Sequence, residues 1–321
     1  MGKRVNLLSR YRTQLMGFAI LLIVVYHSGF GTNWRVFNFL KTFMYFGVDI
    51  LLFLSGYGVY FSLKKNQCIS FYLRKRVTKI LIPFLPILLI WIIAYLGITN
   101  PLSMLKVFIF NVTGLSFWLG MDECFNWYIG SILFFYLLSV PLFKIITNKN
   151  CNSFILFFLT ILLGAFFIGD SRLIAISRLP IFTLGMIVAD DRIFENFSFN
   201  AFNLLFLMLL GVTLIVTIYF IYPSLLAYVG LYWYPFLFIV PLVLLIVIKM
   251  LESKSILIQL LYFIFSTLGK ASYSVFLVHN LLFMIIGKYQ FNNSEWILII
   301  VSTLLLALMY DKILDRIKVF R

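Results

Sequence analysis

Apolar runs recur along nearly the whole chain, from "FAILLIVVY" at Phe18–Tyr26 to "WILIIVSTLLLALMY" at Trp296–Tyr310. A water-soluble core cannot absorb so many. With 63% hydrophobic and only 12% charged residues, the expected fold is all-α, a polytopic integral membrane protein, because helices satisfy their own backbone polar groups in lipid. Each crossing needs about 20 mostly apolar residues, so about ten transmembrane helices are expected. They centre near residues 22, 52, 90, 136, 161, 182, 212, 242, 280 and 303. The run near 182 is short, and Ile256 to Thr267 reads as a re-entrant or interfacial helix ahead of the ninth span.

The formal net charge of +15 would suit a nucleic-acid binder, but the placement of the cations explains it better. With ten spans and a cytoplasmic N-terminus, twenty of the 26 Lys and Arg residues fall inside. Only Arg35, Lys41, Lys106, Arg172, Arg178 and Lys288 fall outside. That is the asymmetry of the positive-inside rule, and it puts both termini in the cytoplasm with no nucleic-acid partner. The basic start resembles a secretory signal, but no small-residue cleavage site follows "HSGFGTNW", so the first span is expected to be retained. Cys68 and Cys151 fall in inner loops and Cys124 outside, which leaves no disulfide framework and no CxxC metal site. Residues 1–321 read as a single transmembrane domain.

Ionisable groups inside spans are costly and mark candidate function. Both histidines, His27 and His279, lie within spans, and Asp49 in "FGVDILLFLSG" is the acidic residue deepest in an apolar run. At about 1.5 Å of rise per residue, Asp49 and His279 fall near the midplane and His27 in the outer third. A cavity between spans one, two and nine would hold all three as a catalytic group. A neutral imidazole suits general-base work, and a carboxylate can orient it. The competing interpretations are hydrogen bonding between helices and a three-ligand metal site. No HExxH or close ligand pair occurs, and no metal is expected. A GxSxG elbow is absent too: in "LSGYG" at Leu54–Gly58 the Ser precedes the first Gly, and the small residues suit close helix approach.

The inner link "SLKKNQCISFYLRKRVTKI" reads as an amphipathic helix on the membrane surface. Its cluster Arg74, Lys75 and Arg76 would grip either anionic membrane lipid or a phosphorylated cytosolic ligand. Outside, "MLKVFIF" is too short to span, and Trp127, Tyr128, Trp233 and Trp296 read as interfacial aromatics.

In order and spacing, these pieces resemble the acyltransferase-3 family of integral membrane acyltransferases, which includes bacterial enzymes that O-acetylate surface glycans. The resemblance is carried by "LMGFAILLIVVYH", "FGVDILLFLSGYGVY", "FYLRKRVTKILIPFL", "FNWYIGSILFFYLLSVPLF", "SRLPIFTLGMIVA" and "LGKASYSVFLVHNLLF". It implies an enzyme of the bacterial cell membrane that takes an acyl group, usually acetyl, from cytosolic acyl-CoA and delivers it to a glycan hydroxyl. The family's first-span His matches His27, and its basic motif before the third span matches Arg74, Lys75 and Arg76. The Arg that the family commonly carries eleven residues before the His falls on Met16; Arg12, one turn earlier on the same face, is the substitute candidate for donor binding. Arg178 and Trp127 are candidates for the acceptor side, with the alternatives that Arg178 is a loop charge and Trp127 an interface anchor.

The favoured function is therefore membrane O-acyltransfer from acetyl-CoA or another acyl-CoA to a cell-surface polysaccharide or its lipid-linked precursor, with polysaccharide synthesis machinery as a possible partner. A transporter or exporter of a glycan or lipid intermediate is the alternative, since a bundle with buried polar groups also suits a pathway.

Overall fold

The computed structural model describes residues 3–65, 68–97, 100–148, 153–167, 169–190 and 235–317. All its regular elements are helices. In chain order they are α1 (Lys3–His27), α2 (Arg35–Lys41), α3 (Gly47–Lys65), α4 (Ile69–Ile90), α5 (Pro101–Val112), α6 (Leu115–Trp118), α7 (Trp127–Thr147), α8 (Ser153–Leu163), α9 (Leu173–Ile176), α10 (Leu179–Val188), α11 (Phe236–Leu251), α12 (Ile256–Lys270), α13 (Ser272–Ile286) and α14 (Asn293–Arg316). A π-helical turn, Trp91–Tyr95, extends α4.

Local chemistry sets several starts. Asn100 accepts from the amides of Leu102 and Ser103 with Pro101 in the first turn, and Asn126 caps α7 through the Tyr128 amide. Asn292 and Glu295 form a reciprocal capping box on α14. Each occupies amides that a helix N-terminus leaves without partners.

The described residues account for part of the expected ten spans. Five helical stretches are long and apolar enough to cross a membrane: Leu7–His27, Arg35–Lys65, Ile69–Tyr95, Trp127–Thr147 and Asn293–Arg316. A sixth is formed if Ile256–Lys270 and Ser272–Ile286, bent by 76°, make one broken span. The runs near 161, 182 and 242 are shorter helices, α8, α10 and α11. The run near 212, Trp233 and most of the acidic link 190–200 lie outside the described residues. The link before the third span is corrected. Ile69 opens α4, so Arg74–Arg76 lie in the first turns of the spanning helix itself, which continues through Pro83 and Pro86.

Two interleaved units compose the chain. The first contains Met1–Arg12, Asp49–Arg76 and Asn126–Glu252, the second Thr13–Val48, Val77–Phe125 and Ser253–Arg321. In the first unit α3 and α10 meet backbone to backbone: a methyl on Gly56 would stand 2.0 Å from the Phe182 carbonyl oxygen, and one on Gly185 2.1 Å from that of Phe53. The small residues of "LSGYG" do permit close helix approach. In the second unit Gly17 and Gly269 do the same for α1 and α12, where added methyls would stand 1.9 Å from Phe265 O and 1.8 Å from Thr13 O. Tyr273 and Tyr310 hydroxyls donate to the carbonyls of Ile80 and Pro83 at 3.0 and 2.6 Å, beside the prolines of α4. Asn111 ties the segment after α6 to α5: its amide nitrogen donates to Val107 O and Glu123 O, and its oxygen accepts from Ser116 Oγ and the Phe125 amide. That satisfies a buried amide on both sides.

Candidate active site

His27 is the last residue of α1, exposed as a residue while its ring is packed in part among its neighbours. Its Nδ1 lies 3.0 Å from Ile23 O, one turn back along the same helix. A carbonyl can only accept, so Nδ1 carries the proton and Nε2 the lone pair. His279 on α13 repeats the arrangement, with Nδ1 3.0 Å from Val275 O, but it is 0% exposed and its Nε2 has no hydrogen-bond partner. The two rings are 5.3 Å apart between centroids, tilted by 42°. Phe276 and Phe283 pack edge-on to His279 at 5.5 and 5.7 Å, and Trp296 packs on Phe283. The second unit therefore brings together both histidines expected from the sequence, one base at the end of α1 and one buried imidazole.

Asp49 lies in the first unit, where its Oδ1 faces Arg178 Nε at 3.4 Å, both side chains 3% exposed. A buried carboxylate gains most from a full positive charge. Arg178 is thus a buried counterion rather than a loop charge. Its guanidinium also lies over the Trp127 ring, 4.9 Å from the centroid, and donates to Ile174 O at 2.6 Å. An exposed pair gives the contrast. Asp170 is bridged by Arg172 through side-chain and backbone N–H bonds that pull its carboxyl down to about 2, and such solvated pairs contribute little to stability.

The expected donor cations separate into two kinds. Arg74 and Lys75 are exposed at the start of α4. Arg76 is half-buried, with its guanidinium over the rings of Tyr72 and Tyr136 at 5.7 and 5.6 Å, and Nη2 donates to Gly58 O at 3.2 Å. Arg12 reaches the same turn of α3: its Nη2 donates to Leu54 O at 3.2 Å, and a methyl on Gly58 would stand 2.7 Å from it. Its buried Nε has no partner. Two guanidinium groups converge on the backbone around Gly58, each donating to a carbonyl of α3. Such a pair attracts an anion of phosphate type. The Arg12 position one turn before Met16 is thereby given a physical context in the first unit.

Sequence reasoning missed Tyr72 and Tyr136 as the ring faces that carry Arg76, with Tyr72 fixed by a 2.8 Å bond to Ser139 Oγ. Their aromatic character was lost among 19% aromatic residues. It also treated Lys41 only as an outer charge, whereas its ammonium bonds carbonyls directly after His27. Among the described residues no group of three His, Cys, Asp or Glu side chains gathers to hold a metal.

A family model described as an acyltransferase domain matches residues 14–311, nearly the whole chain. No curated protein and no solved structure matches it.

Proposed function

The chain belongs to the acyltransferase-3 family of membrane acyltransferases, and on that premise we propose that it is an O-acetyltransferase of the bacterial cell membrane. In this reading the donor is cytosolic acetyl-CoA or another short acyl-CoA, and the acceptor is a hydroxyl of a cell-surface polysaccharide or its lipid-linked precursor, supplied by polysaccharide synthesis machinery. The observation that carries it is the His27 imidazole at the end of α1, held as the Nδ1–H tautomer by Ile23 O so that Nε2 is a lone-pair base.

The chemistry follows from that tautomer. His27 Nε2 takes the acceptor hydroxyl proton as the oxygen bonds to the thioester carbonyl carbon. The C–S bond then breaks, and the imidazolium returns the proton to the departing CoA thiolate. Arg12 and Arg76, with Arg74 and Lys75 as outlying cations, bind the phosphates of the donor; guanidinium forks suit phosphate oxygens. Trp127 is the acceptor-side candidate, and Arg178 supports its ring while neutralising Asp49.

The test uses purified protein in lipid vesicles with labelled acetyl-CoA and candidate glycans. Transfer is expected, and His27→Ala should lower it by about 10²–10⁴-fold, the usual weight of a general base. Undiminished transfer in that variant removes His27 from the chemistry. No transfer from any acyl donor, together with glycan or lipid movement across the vesicle, would replace the enzyme reading by transport.

A further inference from the structure

The segment that leaves His27 is tied down within the second unit. The Ser28 amide makes the last helical bond, to Val24 O at 3.1 Å, and Ser28 Oγ donates to Val25 O at 2.7 Å. Gly29 lies against the Trp296 indole so closely that a methyl there would stand 2.4 Å from Nε1. The Gly31 amide donates to Asn293 Oδ1 at 3.1 Å. Two further ties are charge-assisted hydrogen bonds: Lys41, the last residue of α2, donates from Nζ to Ser28 O at 2.6 Å and to Phe30 O at 2.7 Å.

Those carbonyls lie just past the end of α1, where no later helical amide can reach them. An ammonium is the natural partner there, since the C-terminal end of a helix carries partial negative charge. A lysine immobilised by two short bonds gives up rotamer freedom that an ordinary surface lysine keeps. The Ser28 carbonyl belongs to the residue next to His27, so any loosening of this tie reaches the turn that aims the imidazole.

We propose that Lys41 is a positioning residue for acyl transfer: by holding Ser28 O and Phe30 O it fixes the final turn of α1 and hence the direction in which His27 presents Nε2. This rests on the reading of His27 as the base. The rings around that imidazole are Tyr26 beside it, Tyr45 packed on Tyr26 and His279 across from it on α13, while Lys41 reaches the carbonyl of the next residue.

The chain has two histidines, so ¹⁵N-histidine labelling yields an imidazole signal for each. Lys41→Met is compared with Lys41→Arg and Lys41→Gln in detergent and in vesicles. Lys41→Met should lower kcat for acetyl transfer by about 10–100-fold, the scale of an angstrom-level misplacement, with the KM for acetyl-CoA unchanged. The His27 imidazole ¹⁵N signal should shift or broaden as the last turn of α1 loosens. Lys41→Arg should restore most of the rate, because guanidinium N–H groups can reach both carbonyls, and Lys41→Gln should be intermediate. Wild-type kcat in Lys41→Met overturns the proposal. So does failure of Lys41→Arg to restore the rate, or a rate loss that tracks falling thermal stability while the His27 signal stays in place. If Lys41→Met fails to fold, the Lys41→Gln and Lys41→Arg comparison decides on the same readouts. The NMR measurement does not depend on turnover: a His27→Ala variant with full transfer would remove the base reading, while the effect of Lys41 on the His27 ring would still be read directly.

Discussion

Asp49 and Arg178 form a buried ion pair, 3.4 Å between Oδ1 and Nε, with each side chain 3% exposed. Their positions are far apart in sequence, on α3 and just before α10, and Gly56 and Gly185 explain how those helices come close enough to join them. The pair thus links a carboxylate that is expensive in lipid to the closest helix packing of the first unit.

Because each charge is compensated by the other, removing one should cost more than removing both. Asp49→Asn or Arg178→Met alone is expected to destabilise by about 3–5 kcal/mol, the penalty of stranding a buried charge. The double variant should recover a large part of that loss. Thermal unfolding in detergent measures all three, and additive losses would show that the two groups act independently.

His279 gives a prediction in which stability and function diverge. Its Nε2 is a buried acceptor without a donor, an arrangement that costs about 1–3 kcal/mol and that structures rarely keep without a role. His279→Leu should therefore fold with stability at or above that of the parent, while acetyl transfer falls at least about tenfold if the buried imidazole supports proton movement at His27. Parent-level transfer in a stable His279→Leu protein would make His279 a packing residue only.

Much of this arrangement was legible in the sequence, and the failures have identifiable causes. The two histidines stood out because a lipid-facing chain tolerates few such groups, and their matching spans brought them together. Asp49 was equally conspicuous, but its partner was not: Arg178 in "SRLPIF" follows Ser177 and stands two residues before Pro180, which imitates a loop. Composition gives the apolar runs but not the helix lengths: among the described residues α8 has 11 residues and α11 has 16, fewer than the about 20 that a straight crossing takes. The start of α4 misled for a related reason. Its charge cluster beside Phe71, Tyr72, Leu73, Val77 and Ile80 suggested a helix on the membrane surface, yet the structure continues one helix from Ile69 through Pro83 and Pro86 to Ile90. Lys41 was invisible as a cap because its partners are backbone carbonyls, which carry no sequence signature.

The Arg12–Arg76 pair should behave as one site. Both guanidinium groups bond carbonyls one turn apart on α3, so an anionic ligand held between them loses bidentate contact when either is removed. Arg12→Ala and Arg76→Ala should each weaken acetyl-CoA binding by about tenfold or more, since charged hydrogen bonds contribute about 1.5–3 kcal/mol. The double variant should lose less than the product of the two. Isothermal titration with acetyl-CoA and with desulfo-CoA checks this, and binding that survives both substitutions would leave Arg74 and Lys75, or lipid headgroups, as the groups these cations serve.

Two glycines on the same pair of helices should fail in opposite ways. At Gly58 the nearest atoms to an added methyl are Arg12 Nη2 and Cζ at 2.7 and 3.0 Å, the mobile end of a long side chain. Gly58→Ala should therefore fold normally but push Arg12 aside, raising the KM for acetyl-CoA several-fold. At Gly185 the obstacle is backbone, the Phe53 carbonyl oxygen at 2.1 Å and its carbon at 3.0 Å. Neither helix can yield there without separating, and a forced overpacking of this kind costs about 1–3 kcal/mol or more. Gly185→Ala should accordingly lower thermal stability, with donor affinity preserved in the protein that remains folded. Measuring Tm and donor KM for both variants separates the two effects: a Gly58→Ala protein that loses stability with unchanged KM would show that Arg12 is held for packing and not for the donor.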